Sequence, residues 1–453
     1  MSERIVDYLV IGNSAAGVTA AEQIRANDAQ GSVLIVGREP YAVYGRPLIS
    51  YLIAGKTTRE RLGWKDSGFY DRIGIECLVG PDAEVVSLDP EAHTATLADG
   101  SVVTYGKCLL ATGSIPFTPP IKGLDGRENV HTFFTLDDAE GVWEDARRAR
   151  QEADAEGRSA RAVVIGSGMI GLKAAEAIAG YVDEVCVFEL ADRILPAALD
   201  AQGSELLQRL LDRHGIMCRP GLSVQEACGD GRRATSVILT NGERTPCDFI
   251  VAAVGARPNS KLAVDAGAQQ GRGLVCGPDL QTSLPDVYAA GDLVQVTDVL
   301  TGDERPLALW PNAVEQGACA GRYMAGAPDA EPFDGAFAVN AVDFFETSLL
   351  TAGVINPPEG AGYETLARQE RDSYVKFVMK DGRLCGYILL NRPDNAGVYT
   401  ALIKDKTELS AFPEEAFLDR PLENLDFSRD DRWKRLHAFY PSCLDDRGWK
   451  ETR

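Results

Sequence analysis

No run of apolar residues in this 453-residue chain approaches the roughly 18 a membrane helix needs, so we expect no membrane span. Positive charge is scarce. The chain has 46 Lys and Arg against 67 Asp and Glu, a net charge of −21, which argues against binding nucleic acid through a basic surface. Histidine is scarcer still: His93, His131, His214 and His437 are scattered, form no triad or metal set, and read as surface or satisfied core residues. Ten cysteines, at 77, 108, 186, 218, 228, 247, 276, 319, 385 and 443, include no Cys-x-x-Cys pair. That excludes the usual zinc and iron–sulfur ligand spacings, leaves no metal site to expect, and suits a reducing compartment. Between Met1 and the apolar pattern starting at Ile5 there is no room for a charged n-region and an h-region, so we expect a cytoplasmic protein.

What is present is the 45% apolar, 25% charged balance of an ordinary globular chain, long enough for about three domains. Residues 5–11 read as a buried strand, a helical pattern runs through 20–24, and 33–36 form a second strand: a βαβ unit. Short strands from 83 to 110 suit an inserted antiparallel meander, and the Pro-rich 116–126 suits a linker. A second βαβ unit repeats the pattern, with a strand at 162–165, a helix at 170–179 and a strand at 184–188. A turn at Asn241-Gly242 separates two more strands, and 249–254 is a fully apolar, parallel-type strand. Beyond Gly326, strands at 374–379 and 384–390 around Asp381-Gly382 make a hairpin in an α+β domain.

Each βαβ unit carries a glycine loop between its first strand and its helix. The first is Gly12-Asn13-Ser14-Ala15-Ala16-Gly17 and the second Gly166-Ser167-Gly168-Met169-Ile170-Gly171. Such loops let a pyrophosphate reach backbone N–H groups at a helix N-terminus, where the dipole favours anions. Ser14 stands at the middle position of the first loop and is small enough to permit that approach. An acid ends the next strand in each unit: Glu39, twenty-two residues after Gly17, and Glu189, eighteen after Gly171. A carboxylate there accepts ribose hydroxyls, so the chain carries two dinucleotide sites.

With these loops in place, the chain resembles the FAD- and NAD-binding flavoproteins of the pyridine nucleotide–disulfide oxidoreductase superfamily over residues 1 to about 400. The resemblance rests on Leu110-Ala111-Thr112-Gly113-Ser114-x-Pro116, on Val254-Gly255-Ala256-Arg257-Pro258-Asn259, and on Thr282 to Asp292 with its ending Tyr288-Ala289-Ala290-Gly291-Asp292. It implies an α/β fold with two Rossmann-like domains: a split FAD domain (1–115 and 246–326), an NAD domain (116–245), a C-terminal α+β domain (327–428) and a tail (429–453). FAD would be held by the first loop and Glu39, with Arg46, Pro47, Val85, Ala111, Thr112, Gly113, Gly291 and Asp292. Asp292 would bind the ribityl chain. NAD(H) would be held by the second loop, Glu189 and Gly255. The segment Trp310 to Gly317, with Asn312 and Ala313, looks like the helix whose N-terminus faces the flavin pyrimidine.

The branch is set by what the segment after the first acid lacks. Residues 44–55, Tyr44-Gly45-Arg46-Pro47-Leu48-Ile49-Ser50-Tyr51-Leu52-Ile53-Ala54-Gly55, contain no Cys, and Ala15 stands where NADH peroxidases have a loop His. Without a relay thiol, the Tyr-x-Arg-Pro-x-x-Ser pattern looks like ferredoxin and rubredoxin reductases and the NADH-handling part of nitrite reductases. In ferredoxin reductases a Lys after this pattern pairs near flavin N5 with a Glu two residues beyond the last loop glycine; here those positions look like Tyr51 and Lys173. A cation in the first turn of a helix opposes the dipole unless an anion is close. We expect Lys173, with Tyr51, at the flavin–nicotinamide contact, supporting negative charge on reduced flavin. The competing placements are solvent or an i,i+3 pair with Glu176.

The resemblance therefore implies an FAD-dependent NAD(H):acceptor oxidoreductase: hydride passes between nicotinamide and flavin, and single electrons pass to an iron–sulfur or rubredoxin-like carrier or partner subunit. Such chains also resemble the flavin subunits of multi-subunit 2-oxoacid dehydrogenases of the phenylglyoxylate type. The alternatives are an NADH oxidase or disulfide reductase, and a flavin redox sensor or assembly factor. Oligomeric state, homo- or hetero-, stays open. Glu189 with no Arg in 185–191 favours NAD(H) over NADP(H); Arg193 is the nearest cation. The tail from Arg429 has seven bases, five acids and the aromatics Trp433, Phe439, Tyr440 and Trp449, which suits either docking an acidic partner or packing back on its own domain; Cys443 in it reads as an ordinary lone thiol.

Overall fold

The computed structural model describes residues 3–409. The expected docking tail 429–453 with His437 and Cys443, and the stretch 410–428 of the expected C-terminal domain, lie outside the described residues.

The first unit comprises β1 (Glu3–Ile11), α1 (Ala15–Asn27), β2 (Val33–Gly37), α2 (Ile49–Ile53), α3 (Phe69–Arg72), β3 (Glu76–Val79), β4 (Val85–Asp89), β5 (Thr94–Leu97) and β6 (Val102–Leu110), and ends in β7 (Ser114–Pro116). The second comprises β8 (Val130–His131), α4 (Leu136–Glu156), β9 (Arg161–Ile165), α5 (Met169–Ile178), β10 (Glu184–Glu189), α6 (Ala201–Asp212), β11 (Ile216–Pro220), β12 (Val224–Gly229), β13 (Ala234–Leu239), β14 (Arg244–Pro246) and β15 (Phe249–Ala252), and ends in β16 (Ala256–Pro258). The chain then returns through α7 (Lys261–Asp265), β17 (Val287–Ala289), β18 (Gln295–Thr297), β19 (Glu304–Pro306) and α8 (Trp310–Met324). It finishes with β20 (Val339–Phe344), β21 (Thr347–Gly353), β22 (Glu364–Gln369), β23 (Tyr374–Lys380), β24 (Arg383–Leu390) and α9 (Ala396–Lys404).

The first sheet runs β3-β2-β1-β6-β5-β4, with β17 beside β6. The expected meander is present, but its last strand does two jobs. Residues 102–104 of β6 pair antiparallel with β5, while the strand also runs parallel to β1 and its end, 108–110, parallel to β17. The buried run Cys108–Leu109–Leu110 makes that possible, because a strand between two neighbours is apolar on both faces.

The second sheet, β11-β10-β9-β15-β8, is parallel throughout. Its fourth strand moves the expected boundary at 245: β15 lies between β9 and β8, so 249–252 belong to the second unit and not to the split first one. The Asn241-Gly242 turn punctuates only the small antiparallel sheet β12-β13-β14. The two crossings between units, β7 and β16, pair antiparallel with each other, so the chain leaves and re-enters the first unit as one ribbon.

The expected hairpin, β23 with β24, sits inside a five-stranded antiparallel sheet, β20-β21-β24-β23-β22. One apolar core joins three parts of the chain: Ile49 and Ile53 of α2, the α4 to α6 region of the second unit, and Phe344, Leu349, Tyr374, Ile388 and Leu390 of the last sheet. Among the described residues no helix is long and apolar enough to cross a membrane.

Candidate functional site

Helices α1 and α8 lie parallel with their backbones in contact. A Cβ on Gly317 would stand 2.2 Å from the Ala16 carbonyl oxygen, and one on Gly321 2.4 Å from that of Ala20, so only glycine at both positions permits the approach. That register puts the two N-termini at the same end. The Gly291–Asp292 turn sits between them: Gly291 adopts φ +90°, its N–H donates to Gln316 Oε1 at 2.8 Å, and its Cα side faces Ala16 and Ala313. Asn312 is buried and donates to the Leu307 carbonyl at 3.2 Å.

α4 and α6 cap themselves, through a Thr135–Asp138 capping box and through Asp200. Ser14 before α1, Gly168 before α5 and Leu309 before α8 make no side-chain cap, as is also the case at α2, α3, α7 and α9. The starts of α1, α5 and α8 are the ones that the loops and the Trp310 segment nominate for anion and flavin binding, and a ligand there would meet first-turn N–H groups.

The glycines separate two roles. Gly12 (φ +128°) and Gly17 make the first turn tight: a Cβ at Gly17 would lie 2.0 Å from the Gly12 carbonyl oxygen. Gly166 and Gly171 repeat this, with 2.1 Å between a Gly171 Cβ and the Gly166 oxygen. Gly168 differs. Its φ of −67° suits any residue and a Cβ there meets nothing within 4 Å, so nothing in the protein itself demands glycine. The open space above it is the cradle a pyrophosphate would fill. Met169 and Ile170 open α5 beside it, as Ala15 and Ala16 open α1.

The two strand-end acids are held differently. The backbone amide and the hydroxyl of Ser167, a fully buried residue, both donate to Glu189 Oε2, and the Ala191 amide donates to Oε1, all at 2.8 Å. Glu189 is thus fixed against its own glycine loop. Glu39 is instead engaged by the Arg46 guanidinium and by the Tyr44 hydroxyl at 2.6 Å. Arg46 also donates to the Phe134 carbonyl at 3.0 Å and stacks over the Tyr44 and Phe134 rings. Pro47 follows in a 3-10 turn.

Ser114 donates to Asp292 Oδ2 at 2.9 Å. Burial raises the Asp292 pKa, and the Ser114 hydrogen bond and the Arg46 charge act against it. Thr112 and Asn259 exchange hydrogen bonds, Thr112 Oγ1 to the Asn259 carbonyl at 2.7 Å and Asn259 Nδ2 to the Thr112 carbonyl at 3.3 Å. The motifs around Ala111, Gly113 and Gly255 are therefore stitched together where the chain crosses between units. Val85 opens β4 and packs against the core of the first sheet.

Where the two units face each other, α2 packs on α5. Lys173 Nζ lies 4.6 Å from the centroid of the Tyr51 ring, pairs with Glu176, and donates to the Asp343 carbonyl at 2.8 Å. Of the competing placements for Lys173, the structure has the Glu176 pair and not solvent: its side chain is 11% exposed. The feature hidden from sequence is that Glu176 also takes Lys56 at 2.8 Å and the Phe345 amide at 2.8 Å. The only advance mark of Glu176 is its i,i+3 spacing from Lys173; Lys56 carries none.

Three histidines have ordinary partners: His93 with Tyr105 and Asp286, His131 with Asp145, His214 with Glu346 and Phe345. Burial pushes the thiols of Cys77 and Cys319 up to about 11 and those of Cys218, Cys247 and Cys276 up to about 12, away from the thiolate range.

Residues 6–317 match the family model described as pyridine nucleotide-disulphide oxidoreductase. The chain is 31% identical over 418 residues to the NADH-dependent phenylglyoxylate dehydrogenase subunit epsilon of Aromatoleum evansii, covering 92% of this chain and 95% of that one. It is 30% identical over 422 residues to a probable ferredoxin reductase of Castellaniella defragrans, covering 90% and 95%. Among solved structures, the reductase of a covalent putidaredoxin reductase–putidaredoxin complex superposes with a TM-score of 0.79 at 25% identity, covering 92% of this chain and 99% of that one.

Proposed function

The chain belongs to the pyridine nucleotide-disulphide oxidoreductase family, and from that premise we propose that it is an FAD-dependent NAD(H) oxidoreductase that exchanges single electrons with an iron–sulfur protein. FAD and NAD(H) are the cofactors of the family, and the residues present suit them: two tight glycine turns, open space above Gly168, and uncapped starts to α1, α5 and α8. FAD bound there would supply two-electron hydride chemistry towards NAD(H) and one-electron chemistry towards a carrier.

The chain's own contribution is placement. The α1 loop holds one pyrophosphate and the α5 loop the other, on N–H groups at positive helix ends. Asp292, between the starts of α1 and α8, keeps an oxygen for a ribityl hydroxyl while Ser114 occupies the other. Glu189, fixed by Ser167 and Ala191, accepts the ribose hydroxyls of NAD(H).

The observation that carries the acceptor class is the absence of any cysteine from residues 44–55, the segment that includes α2. Where the two units meet, this chain has an aromatic ring and an ammonium, and residues 44–55 hold no thiol to relay electrons to a disulfide. Electrons then leave for an external one-electron carrier, in line with the ferredoxin reductase among the relatives. A relative of nearly full coverage is a dehydrogenase subunit, which favours a second setting in which the carrier is a neighbouring subunit. The described cysteines are all free, which suits a cytoplasmic location.

The test is NADH-dependent reduction of a ferredoxin and of a rubredoxin, with a small disulfide and O₂ as competing acceptors. Faster turnover with either metalloprotein supports the proposal; faster turnover with the disulfide or O₂ contradicts it. Purification from the source cells at native level distinguishes the free enzyme from the subunit.

A further inference from the structure

We propose that Glu176 is a positioning residue of the hydride-transfer site, a single buried carboxylate that fixes the Lys173 ammonium against the Tyr51 ring. The proposal rests on the reading of the chain as an NAD(H):FAD oxidoreductase.

The geometry is a convergence of three parts of the molecule. Glu176 is on α5, one turn in from the second glycine loop, and its side chain is 3% exposed. Lys56, just past α2 in the first unit, reaches its Oε1 at 2.8 Å. Lys173, two residues after Gly171, takes its Oε2. The Phe345 amide, from the turn joining β20 to β21, donates to Oε1 at 2.8 Å. Both ammonium groups flank the Tyr51 ring, Lys173 at 4.6 Å and Lys56 at 5.5 Å from its centroid.

The turn that delivers the third contact is a strained one. Phe345 has φ 55°, the left-handed region that a bulky residue avoids, and it is held there by the hydrogen bond its amide donates to Glu176 and by stacking of its ring on His214 at 3.8 Å. The adjacent Asp343 carbonyl accepts from Lys173 at 2.8 Å. The last sheet is therefore fastened to α5 at the same carboxylate that holds both cations.

This junction matters for the chemistry because of what must meet there. A dinucleotide lying on the α5 loop has to reach across to the first unit, and Lys173, two residues beyond that loop, touches the first unit at Tyr51. The ammonium is nearly buried, so without a fixed anion it would lose its proton or leave. Burial lowers the Lys173 pKa, while the Glu176 hydrogen bond and charge and the Asp343 charge oppose that, and Lys56 adds to it. Burial would raise the Glu176 pKa, but the hydrogen bonds from Lys173, Lys56 and Phe345 outweigh it and keep the carboxylate ionised. The charged and titratable groups facing Lys173 are thus Lys56 and Tyr51 from the α2 side, Glu176 on α5 and Asp343 on β20.

The test uses the FAD-loaded enzyme and reads the midpoint potential of its flavin as a function of pH, alongside the rate of flavin reduction by NADH. Deprotonation of Lys173 appears as an alkaline breakpoint in the potential, absent in Lys173→Met. Glu176→Gln keeps the shape and removes the charge; it should move the breakpoint down by about one pH unit or more and slow reduction at pH 8 about tenfold. Lys56→Ala removes the competing cation at a partly exposed position and should move the breakpoint up. Opposite shifts are not produced by a loss of packing alone. A breakpoint unmoved in Glu176→Gln overturns the proposal. If Glu176→Gln does not retain FAD, Lys56→Ala decides, and a breakpoint that stays or falls overturns it. Wild-type protein that binds no FAD or is not reduced by NADH refutes the underlying oxidoreductase reading instead.

Discussion

Ser167 donates two hydrogen bonds, from its amide and its hydroxyl, to one oxygen of Glu189, each at 2.8 Å. The carboxylate cannot swing aside to admit a 2′-phosphate, and its charge would repel one. We predict that kcat/KM with a dye acceptor is at least about tenfold higher for NADH than for NADPH, about 1.4 kcal/mol. Ser167→Ala should narrow that ratio mainly through the KM for NADPH. Equal use of the two nucleotides by the wild-type enzyme contradicts the assignment of Glu189.

Gly168 and Gly171 should respond differently to a side chain. At Gly168 a Cβ enters open space at an unstrained φ, so Gly168→Val should leave the melting temperature unchanged while weakening NADH binding at least about tenfold. At Gly171 a Cβ would stand 2.1 Å from the Gly166 oxygen, and Gly171→Val should cost stability, on the order of 1–3 kcal/mol or more. Thermal melts and NADH titrations of the two variants check this; equal affinity in Gly168→Val would mean that no ligand occupies the space.

Lys173, 11% exposed and paired with Glu176, is a fixed cation beside Tyr51. Lys173→Met should lower the midpoint potential of the flavin by about 20–40 mV, the two-electron equivalent of about 1–2 kcal/mol. Spectroelectrochemistry at pH 7 measures it, and an unchanged potential would place the ammonium out of reach of the flavin.

Thiols should be bystanders. Burial raises the pKa of Cys77, Cys108, Cys186, Cys218, Cys247, Cys276, Cys319 and Cys385, so each is a neutral thiol at pH 7. Iodoacetamide treatment of the native protein should leave NADH-to-dye activity nearly intact. Stoichiometric inactivation traced to one cysteine would contradict this.

Much of this molecule could be read from sequence because its signals are local. Gly12 to Gly17 and Gly166 to Gly171 announce themselves by spacing, and the strands around them by unbroken apolar runs. The sheet that β15 joins is not legible, because four apolar residues carry no mark of it; pairing with β9 and β8 decides it. The Lys56–Glu176 bond joins residues 120 apart and exists only because α2 lies on α5, so no local pattern foretells it. Lys173 stands out in the sequence as a cation just after a glycine loop, but the sequence leaves it between solvent and Glu176, and the burial of both side chains where α2 packs on α5 decides for Glu176. Likewise Glu39 was found by position, while its engagement by Arg46 and Tyr44 depends on the fold of residues 44–46.

The most direct test of the central claim is an anaerobic titration of the FAD-loaded protein with NADH, followed by flavin absorbance and then by addition of an oxidised one-electron iron–sulfur acceptor. The flavin should be fully reduced by one equivalent of NADH and reoxidised by two equivalents of the acceptor. A requirement for a second equivalent of NADH, with two thiols appearing as the flavin bleaches, would show a disulfide relay and contradict the account.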